Sequence, residues 1–359
     1  MDANTLARLR LALIPGLGPV TQLNLVSRFG TAAAPFENLA DVAEFAGPAA
    51  AFALAQGPDA ALVERSLRWA EHPAHRLLSF EDPEYPGLLR EIHDPPGLLY
   101  AIGDLRFLQQ RSVAIVGARN ATPQGQRDAR AMARTLSGAG LTIVSGLALG
   151  IDAAAHLGGL EGGSSSVAVM GTGPDRIYPP RNRELAQRLA TEGCIITEFP
   201  LGTPPASGNF PRRNRLISGL ARAVLVVEAN EKSGSLVTAR CALDESREVF
   251  AMPGSIHSPL ARGCHKIIKE GAGLAQDAND VLEALGLPRV EHDLSPPGEK
   301  TSPDPLLHEI GFAPLSPDQI AQRTGLPAAT VAAQLSRLQI EGRIEEVAGG
   351  KFQRVQRAS

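Results

Sequence analysis

Cysteine is scarce: the 359 residues hold three, Cys194, Cys241 and Cys264, an odd number with no C-x-x-C pair. That spacing argues against a disulfide framework or a structural zinc site and fits a reducing compartment. Aromatic residues make up only 4% of the chain, so any binding through ring stacking must work with few rings. No apolar run is long enough to span a membrane, and the start Met1-Asp2-Ala3-Asn4 carries no signal-peptide pattern; a cytoplasmic protein without a membrane partner is expected. Lysine is nearly missing, at Lys232, Lys266, Lys269, Lys300 and Lys351 alone, against a large surplus of arginine. A composition bias of the genome accounts for that surplus as well as function does. The net charge of -3 argues against a globally basic coat, so a polyanion would have to meet a local patch.

Catalytic signatures are missing too. No Walker G-x-x-x-x-G-K-[ST] occurs, and no His/Cys/Asp cluster has metal-ligand spacing, so neither a metal nor a cofactor is expected. Gly171-Thr172-Gly173 is only a fragment of G-x-G-x-x-G, because position 176 is Arg176. Asp152 and His156 lie four residues apart, on one face of a helix. They suit either a catalytic dyad or a structural hydrogen bond at a helix start, and the position of Asp152 in a first turn favours the second.

What is present falls into segments. Residues 1–76 read as short helices punctuated by Gly and Pro, with Ile14-Pro15-Gly16-Leu17-Gly18-Pro19 resembling a helix-hairpin-helix turn in a small, SAM-like helical domain. Residues 77–288 alternate short apolar strands with helical stretches, the strands falling at 113–116, 142–144, 167–170, 195–197, 224–227 and 248–252. That alternation predicts an α/β fold, a Rossmann-like doubly wound and mostly parallel sheet that binds its ligand beyond the carboxyl ends of the strands. A Pro-, Ser- and charge-rich linker at 289–305 follows. Residues 306–359 read as helix, helix-turn-helix and a hairpin around Gly349-Gly350, a winged helix whose recognition helix carries Arg337 as its one cation.

The strongest local signal is Phe210-Pro211-Arg212-Arg213-Asn214-Arg215, three arginines and an amide beside one aromatic, with no acidic residue between Glu198 and Glu228. Guanidinium groups without a nearby carboxylate suit phosphates; a solvated arginine face is the plainer reading. At the expected rim, Arg119, Arg181, Arg212, Arg213 and Arg215 are candidates to neutralise phosphates. Gly117, Ser145-Gly146 and Ser233-Gly234-Ser235 are candidates to offer N–H groups and hydroxyls, with Asn214 beside them, and Phe210 either stacks on a base or anchors its own loop. Cations plus a stacking ring are how single strands are held without sequence preference.

The central segment resembles the DNA-processing protein A (DprA/Smf) family. The resemblance runs from Tyr85-Pro86 and Asp94-Pro95-Pro96 through Val116-Gly117-Ala118-Arg119. It continues through the stretch from Ser145 to His156, Gly171-Thr172-Gly173, Tyr178-Pro179, Phe210 to Arg215 and Ser233-Gly234-Ser235-Leu236. It implies a non-enzymatic, homodimeric protein that binds single-stranded DNA and helps load the RecA recombinase during natural transformation. Leu149 departs from the pattern, standing where the family often has arginine. Two other readings compete. One is a nucleoside-monophosphate hydrolase of the lysine-decarboxylase-like group, whose P-G-G-x-G-T-x-x-E motif is lacking around Glu228. The other is a duplex-DNA regulator led by the winged helix.

Overall fold

The computed structural model describes residues 3–290, 305–310, 314–347 and 349–355; most of the expected linker at 289–305 lies outside them. Nine strands form one sheet. They are β1 (His75–Ser79), β2 (Leu98–Gly103), β3 (Ser112–Val116), β4 (Thr142–Ser145), β5 (Ser166–Val169), β6 (Cys194–Thr197), β7 (Ala223–Val226), β8 (Glu248–Ala251) and β9 (Gly273–Leu274). Their spatial order is β1-β2-β6-β5-β4-β3-β7-β8-β9. The run from β6 to β9 is parallel throughout, while β1 and β2 add to the β6 edge as antiparallel strands. The expected doubly wound, mostly parallel sheet is therefore present.

Alternation along β3 shows why the strands read as apolar runs. Val113 and Ile115 face one layer, with Ala129, Met132 and Leu136 of helix Pro123–Gly138. Ala114 and Val116 face the other, with Leu216 and Ile217 of helix Asn209–Leu220. A strand covered on both faces has no polar side to betray its period. On the first layer, Gly158 and Gly162 of helix Ile151–Gly162 lie against the backbone carbonyls of Arg130 and Arg134, where a Cβ would collide. Glycine at that four-residue spacing lets the two helices touch backbone to backbone.

The chain leaves β3 outward through β4, β5 and β6, then returns to β7 on the other side of β3. The order reverses between β3 and β7, and a crevice opens there beyond the strand ends.

The front segment is helical, with Ala3–Ala12 and Pro19–Phe29 joined by the Gly16-Leu17-Gly18 turn. Gly16 has φ +78°, and Gly18 is extended before Pro19 at the first helical position. The segment is fixed to the sheet edge. Leu9 and Leu13 pack on Leu77, Leu98 and Tyr100, and the buried Arg8 is turned inward to Glu81.

At the other end, helices Pro305–Ile310, Pro317–Thr324 and Ala328–Ile340 precede a hairpin of β10 (Ile344–Val347) and β11 (Lys351–Arg354). This is the expected winged helix, closed around Ile320, Val331, Leu335 and Leu338. Arg337 of its recognition helix pairs with Glu341 at 3.6 Å. The wing strand is engaged with the central unit: Glu345 takes both Nη1 and Nη2 of Arg127, at 2.7 and 2.6 Å, and accepts from Gln353 at 2.6 Å. Among the described residues, no helix is long and apolar enough to cross a membrane.

Candidate nucleic-acid interface

A cleft of about 650 Å³ occupies the crevice between the ends of β3 and β7. Arg119, Arg213 and Phe210 line it, as do Asp152, Asn214 and Ser233-Gly234-Ser235.

Gly117 continues β3 into the cleft. A Cβ there would meet Ile151 and the Glu228 carbonyl at 2.6 and 2.9 Å, so glycine is what lets three segments converge. The loop is then anchored twice: Ala118 donates its N–H to the Glu228 carbonyl at 2.7 Å, and the Glu228 carboxylate accepts from the Thr122 N–H and hydroxyl at 2.9 and 2.7 Å. Burial pushes the Glu228 carboxyl up despite these bonds. Between the anchors stands Arg119, exposed and without an ion-pair partner among the described residues, its guanidinium 5.1 Å from the centre of the Phe210 ring.

The β4 loop departs from expectation. Ser145 is fully buried and donates its hydroxyl to the Ile115 carbonyl at 2.7 Å, while the Gly146 N–H donates to Asp152 Oδ2 at 3.1 Å. Neither group is free to offer hydrogen bonds outward. Gly146 serves a different need, because a Cβ there would lie about 2.5 Å from the Arg213 guanidinium. The following residue, Leu147, is fully buried at φ +57°, a left-handed conformation that disfavours a γ-branched side chain. Its backbone is held from both ends: His156 Nε2 accepts its N–H at 3.2 Å, and Asn182 donates to its carbonyl at 2.8 Å.

Asp152 and His156 are thus not a dyad. Asp152 also accepts from the Ala148 N–H at 3.3 Å, and each side chain independently clamps the loop backbone. The imidazole tautomer follows from its neighbours. Ser166 donates its hydroxyl to the Ile143 carbonyl at 2.7 Å, so Nδ1 must be the donor to Ser166 and Nε2 the acceptor from Leu147. Burial, with the Arg213 charge adding to it, pushes the His156 pKa down to about 3.

The linkage has a definite sign. Unfolded chain takes up a proton below about pH 6.5, the folded imidazole stays neutral to about 3, and stability falls as pH drops through that window, by at most about 1.4 kcal/mol per pH unit. His156→Gln is expected to show a shallower acid-side loss than the parent between pH 6 and 4 in urea titrations. Parallel curves would exclude His156 as the source.

The arginine run is a helix rather than a loop: Asn209–Leu220 begins just before it. Three fates follow. Arg213 is buried beneath the cleft, where its Nη1 donates to the carbonyls of Val169 and of Gly146 (2.6 Å for the second) and its Nε to Asn214 Oδ1 at 3.2 Å. Burial lowers its pKa to about 10, with Asp152 opposing the shift, so the group stays cationic near neutrality. Arg215 is also buried but turns away, into ion pairs with Glu198 at 2.8 Å and Asp94 at 2.7 Å. Arg212 is half-exposed, pairs with the same Glu198 at 3.0 Å, and stays outside the cleft lining. The expectation that Arg212 and Arg215 face phosphates without a carboxylate nearby is therefore corrected, since Glu198 reaches them through space. Arg181 is exposed in the short 3-10 turn Pro180–Asn182 that leads into helix Arg183–Glu192, beyond the lining itself.

On the far wall, Ser233 and Ser235 share a hydroxyl–hydroxyl bond at 2.7 Å, and Gly234 is the exposed residue before helix Ser235–Asp244, with Asn214 donating to its carbonyl at 3.2 Å. Open space surrounds Gly234 where a side chain would stand, while the first amides of that helix are engaged locally: the Ser235 N–H donates to the Ser233 hydroxyl at 3.4 Å, and the Leu236 and Val237 N–H groups donate to the Ser233 and Gly234 carbonyls at 3.1 Å. Tyr178, Asn120 and Asn230 also line the cleft; they come from separate loops, and no local pattern marks them together. Among the described residues, no group of three or more His, Cys, Asp or Glu could hold a metal ion.

Three family profiles cover nearly the whole chain: a DprA-like N-terminal HHH domain at residues 2–63, DNA recombination-mediator protein A at 76–286 and a DprA winged helix domain at 290–350. Protein Smf of Escherichia coli K12 is 42% identical over 306 residues, which is 82% of this chain and 82% of that protein. The DNA processing protein DprA of Streptococcus pneumoniae is 42% identical over 60% of this chain and 76% of its own length. The crystal structure of DprA from Streptococcus pneumoniae superposes with a TM-score of 0.68 at 36% identity, covering 79% of this chain and 98% of that one. A Helicobacter pylori DNA processing protein A structure, described for its single-stranded DNA binding mode, superposes with a TM-score of 0.54 at 30% identity over 60% and 97% of the two chains. The cleft is therefore set in a protein that belongs to the DNA recombination-mediator protein A family.

Proposed function

We propose that the cleft holds single-stranded DNA and that the protein is a binding protein rather than an enzyme, delivering the strand to a RecA-type recombinase as a homodimer. The observation that carries the reading is the pair of cations at the β3–β7 crevice: Arg119 has no ion-pair partner among the described residues, and Arg213 is held cationic beneath it. The exposed Gly234 and the hydroxyls of Ser233 and Ser235 line the same space. Arg119, Arg213, Asn214 and Ser233-Gly234-Ser235 are the proposed phosphate contacts, with Gly117 lining the cleft and letting the Arg119 loop pack against Ile151 and Glu228. Asp152 and His156, the two groups best placed for acid–base chemistry, are spent on loop backbone, which supports binding over catalysis. The likeness to the Helicobacter pylori protein supports the choice of ligand; delivery to RecA and dimerisation rest on family membership alone. The three units are taken as residues 1–76, 77–288 and 306–359, joined by 289–305, with the first boundary falling inside β1.

Arg119→Ala is expected to weaken binding uniformly across sequences. It should also flatten the salt dependence by about 0.7 in the log–log slope, the release expected for one phosphate contact on a single strand. Fluorescence anisotropy of a labelled oligonucleotide across a salt series measures both quantities. An unchanged affinity and slope would remove Arg119 from the site.

A further inference from the structure

Phe210 is the aromatic that the arginine run brings forward, yet its ring is already engaged. One edge lies on Gly171, where a Cβ would sit 2.9 Å from the ring, and the Arg119 guanidinium is 5.1 Å from its centroid. The neighbouring ring is different. Tyr178 stands 5.7 Å from Phe210, centroid to centroid and tilted by 34°, and is 41% exposed at the lip of the cleft.

The loop that carries Tyr178 is pinned. Arg176 donates its N–H to the Gly173 carbonyl at 3.0 Å, and Thr172 donates its hydroxyl to the Arg176 carbonyl at 2.6 Å. Asn182 donates its N–H to Pro179 at 3.0 Å and its side-chain amide to the carbonyls of Leu147 and Ala148 at 2.8 and 3.0 Å. An exposed ring on a braced loop loses little entropy when a flat partner covers it. Arg176 and Arg181 flank it in the chain, both exposed and both without an ion-pair partner among the described residues. The nearby acidic group, Asp175, is turned aside to accept the Gly202 N–H at 2.8 Å.

We propose that Tyr178 is the stacking platform for an unpaired nucleobase as the strand leaves the cleft, and that Arg176 and Arg181 carry the sugar–phosphate backbone onward over this loop. The proposal rests on the single-strand reading above and adds a direction to it: the strand exits across the β5 loop. Phe210 then supports Tyr178 and Arg119 from below.

The test compares two oligonucleotides of equal length by anisotropy, one of thymidines and one of abasic tetrahydrofuran units, which keep the phosphates and remove the bases. Tyr178→Ala is expected to lose about tenfold in affinity for the thymidine strand, the scale of one base–aromatic stack, and nothing on the abasic strand. Tyr178→Phe keeps the ring and should match the parent on both. Arg181→Ala should weaken both strands alike. Equal binding of the thymidine strand by Tyr178→Ala and parent, or an equal loss on both strands, overturns the platform while leaving the cleft intact. Failure of the parent to bind either strand would instead bring down the single-strand reading and this proposal with it.

Discussion

Glu198→Ala is expected to lower the unfolding free energy by about 3–5 kcal/mol, the usual cost of leaving one member of a buried ion pair uncompensated. The Glu198 side chain is 3% exposed and serves two arginines through one oxygen, Arg215 at 2.8 Å and Arg212 at 3.0 Å. Arg215 is 9% exposed and also reaches Asp94 at 2.7 Å, which ties the segment between β1 and β2 to helix Asn209–Leu220. Removing Glu198 strands the Arg215 charge with Asp94 alone. The pair is not ideally satisfied, since Glu198 Oε1 and Arg215 Nη1 have no hydrogen-bond partner. The double variant Glu198→Leu with Arg215→Met should therefore recover most of the loss, because an apolar pair of similar size needs no partners. Urea titrations of parent, single and double variants decide it. A single-variant loss below about 1 kcal/mol would mean that the cluster is effectively solvated.

That ion pair also explains what the sequence concealed. Arg212, Arg213 and Arg215 read as one patch because they are neighbours in the chain. On a helix, positions three apart share a face while the next residue is turned by about 100°. Arg212 and Arg215 thus meet Glu198 together, and Arg213 points to the cleft. Glu198 lies fourteen residues before Arg212, beyond any local reading. Ser145 and Gly146 misled for a related reason: a Ser-Gly pair after a strand suits anion binding, but the partner that consumes the Gly146 N–H is Asp152, on the next helix.

Six of the parallel strands, β3 to β8, were legible to within a residue or two, since apolar runs ending in glycine record burial on both faces; the two-residue β9, Gly273–Leu274, was not, being too short to show any period. β1 and β2 were not. The division placed at residue 76 falls inside β1, His75–Ser79, because an edge pair that packs against a helical front segment carries no composition shift to mark it. The winged helix was legible from its turns, the hairpin around Gly349-Gly350 and Gly325, which closes helix Pro317–Thr324 in the left-handed region. Its contact with the central unit through Arg127 and Glu345 was not, because the two residues are 218 positions apart.

Arg213→Met is expected to reduce single-strand affinity by about 100-fold or more while the protein remains folded. Two losses add. The cation beneath the cleft disappears, and a charge-assisted hydrogen bond to a phosphate is worth roughly 1.5–3 kcal/mol. The β4 loop also loses the donor that holds the Gly146 carbonyl, so the cleft floor is no longer fixed. Arg213→Lys should rescue little, because an ammonium cannot reproduce a planar fork that binds two carbonyls and still presents a free edge. Stability should fall as well, since Asp152 is buried and its charge is offset by Arg213. Adding Asp152→Asn removes that uncompensated charge and is expected to restore much of the stability but none of the binding. The two readouts therefore separate what Arg213 does for the fold from what it does for the ligand. Single-strand affinity within about twofold of the parent across the salt series, in a folded Arg213→Met protein, would place the DNA somewhere other than the β3–β7 cleft.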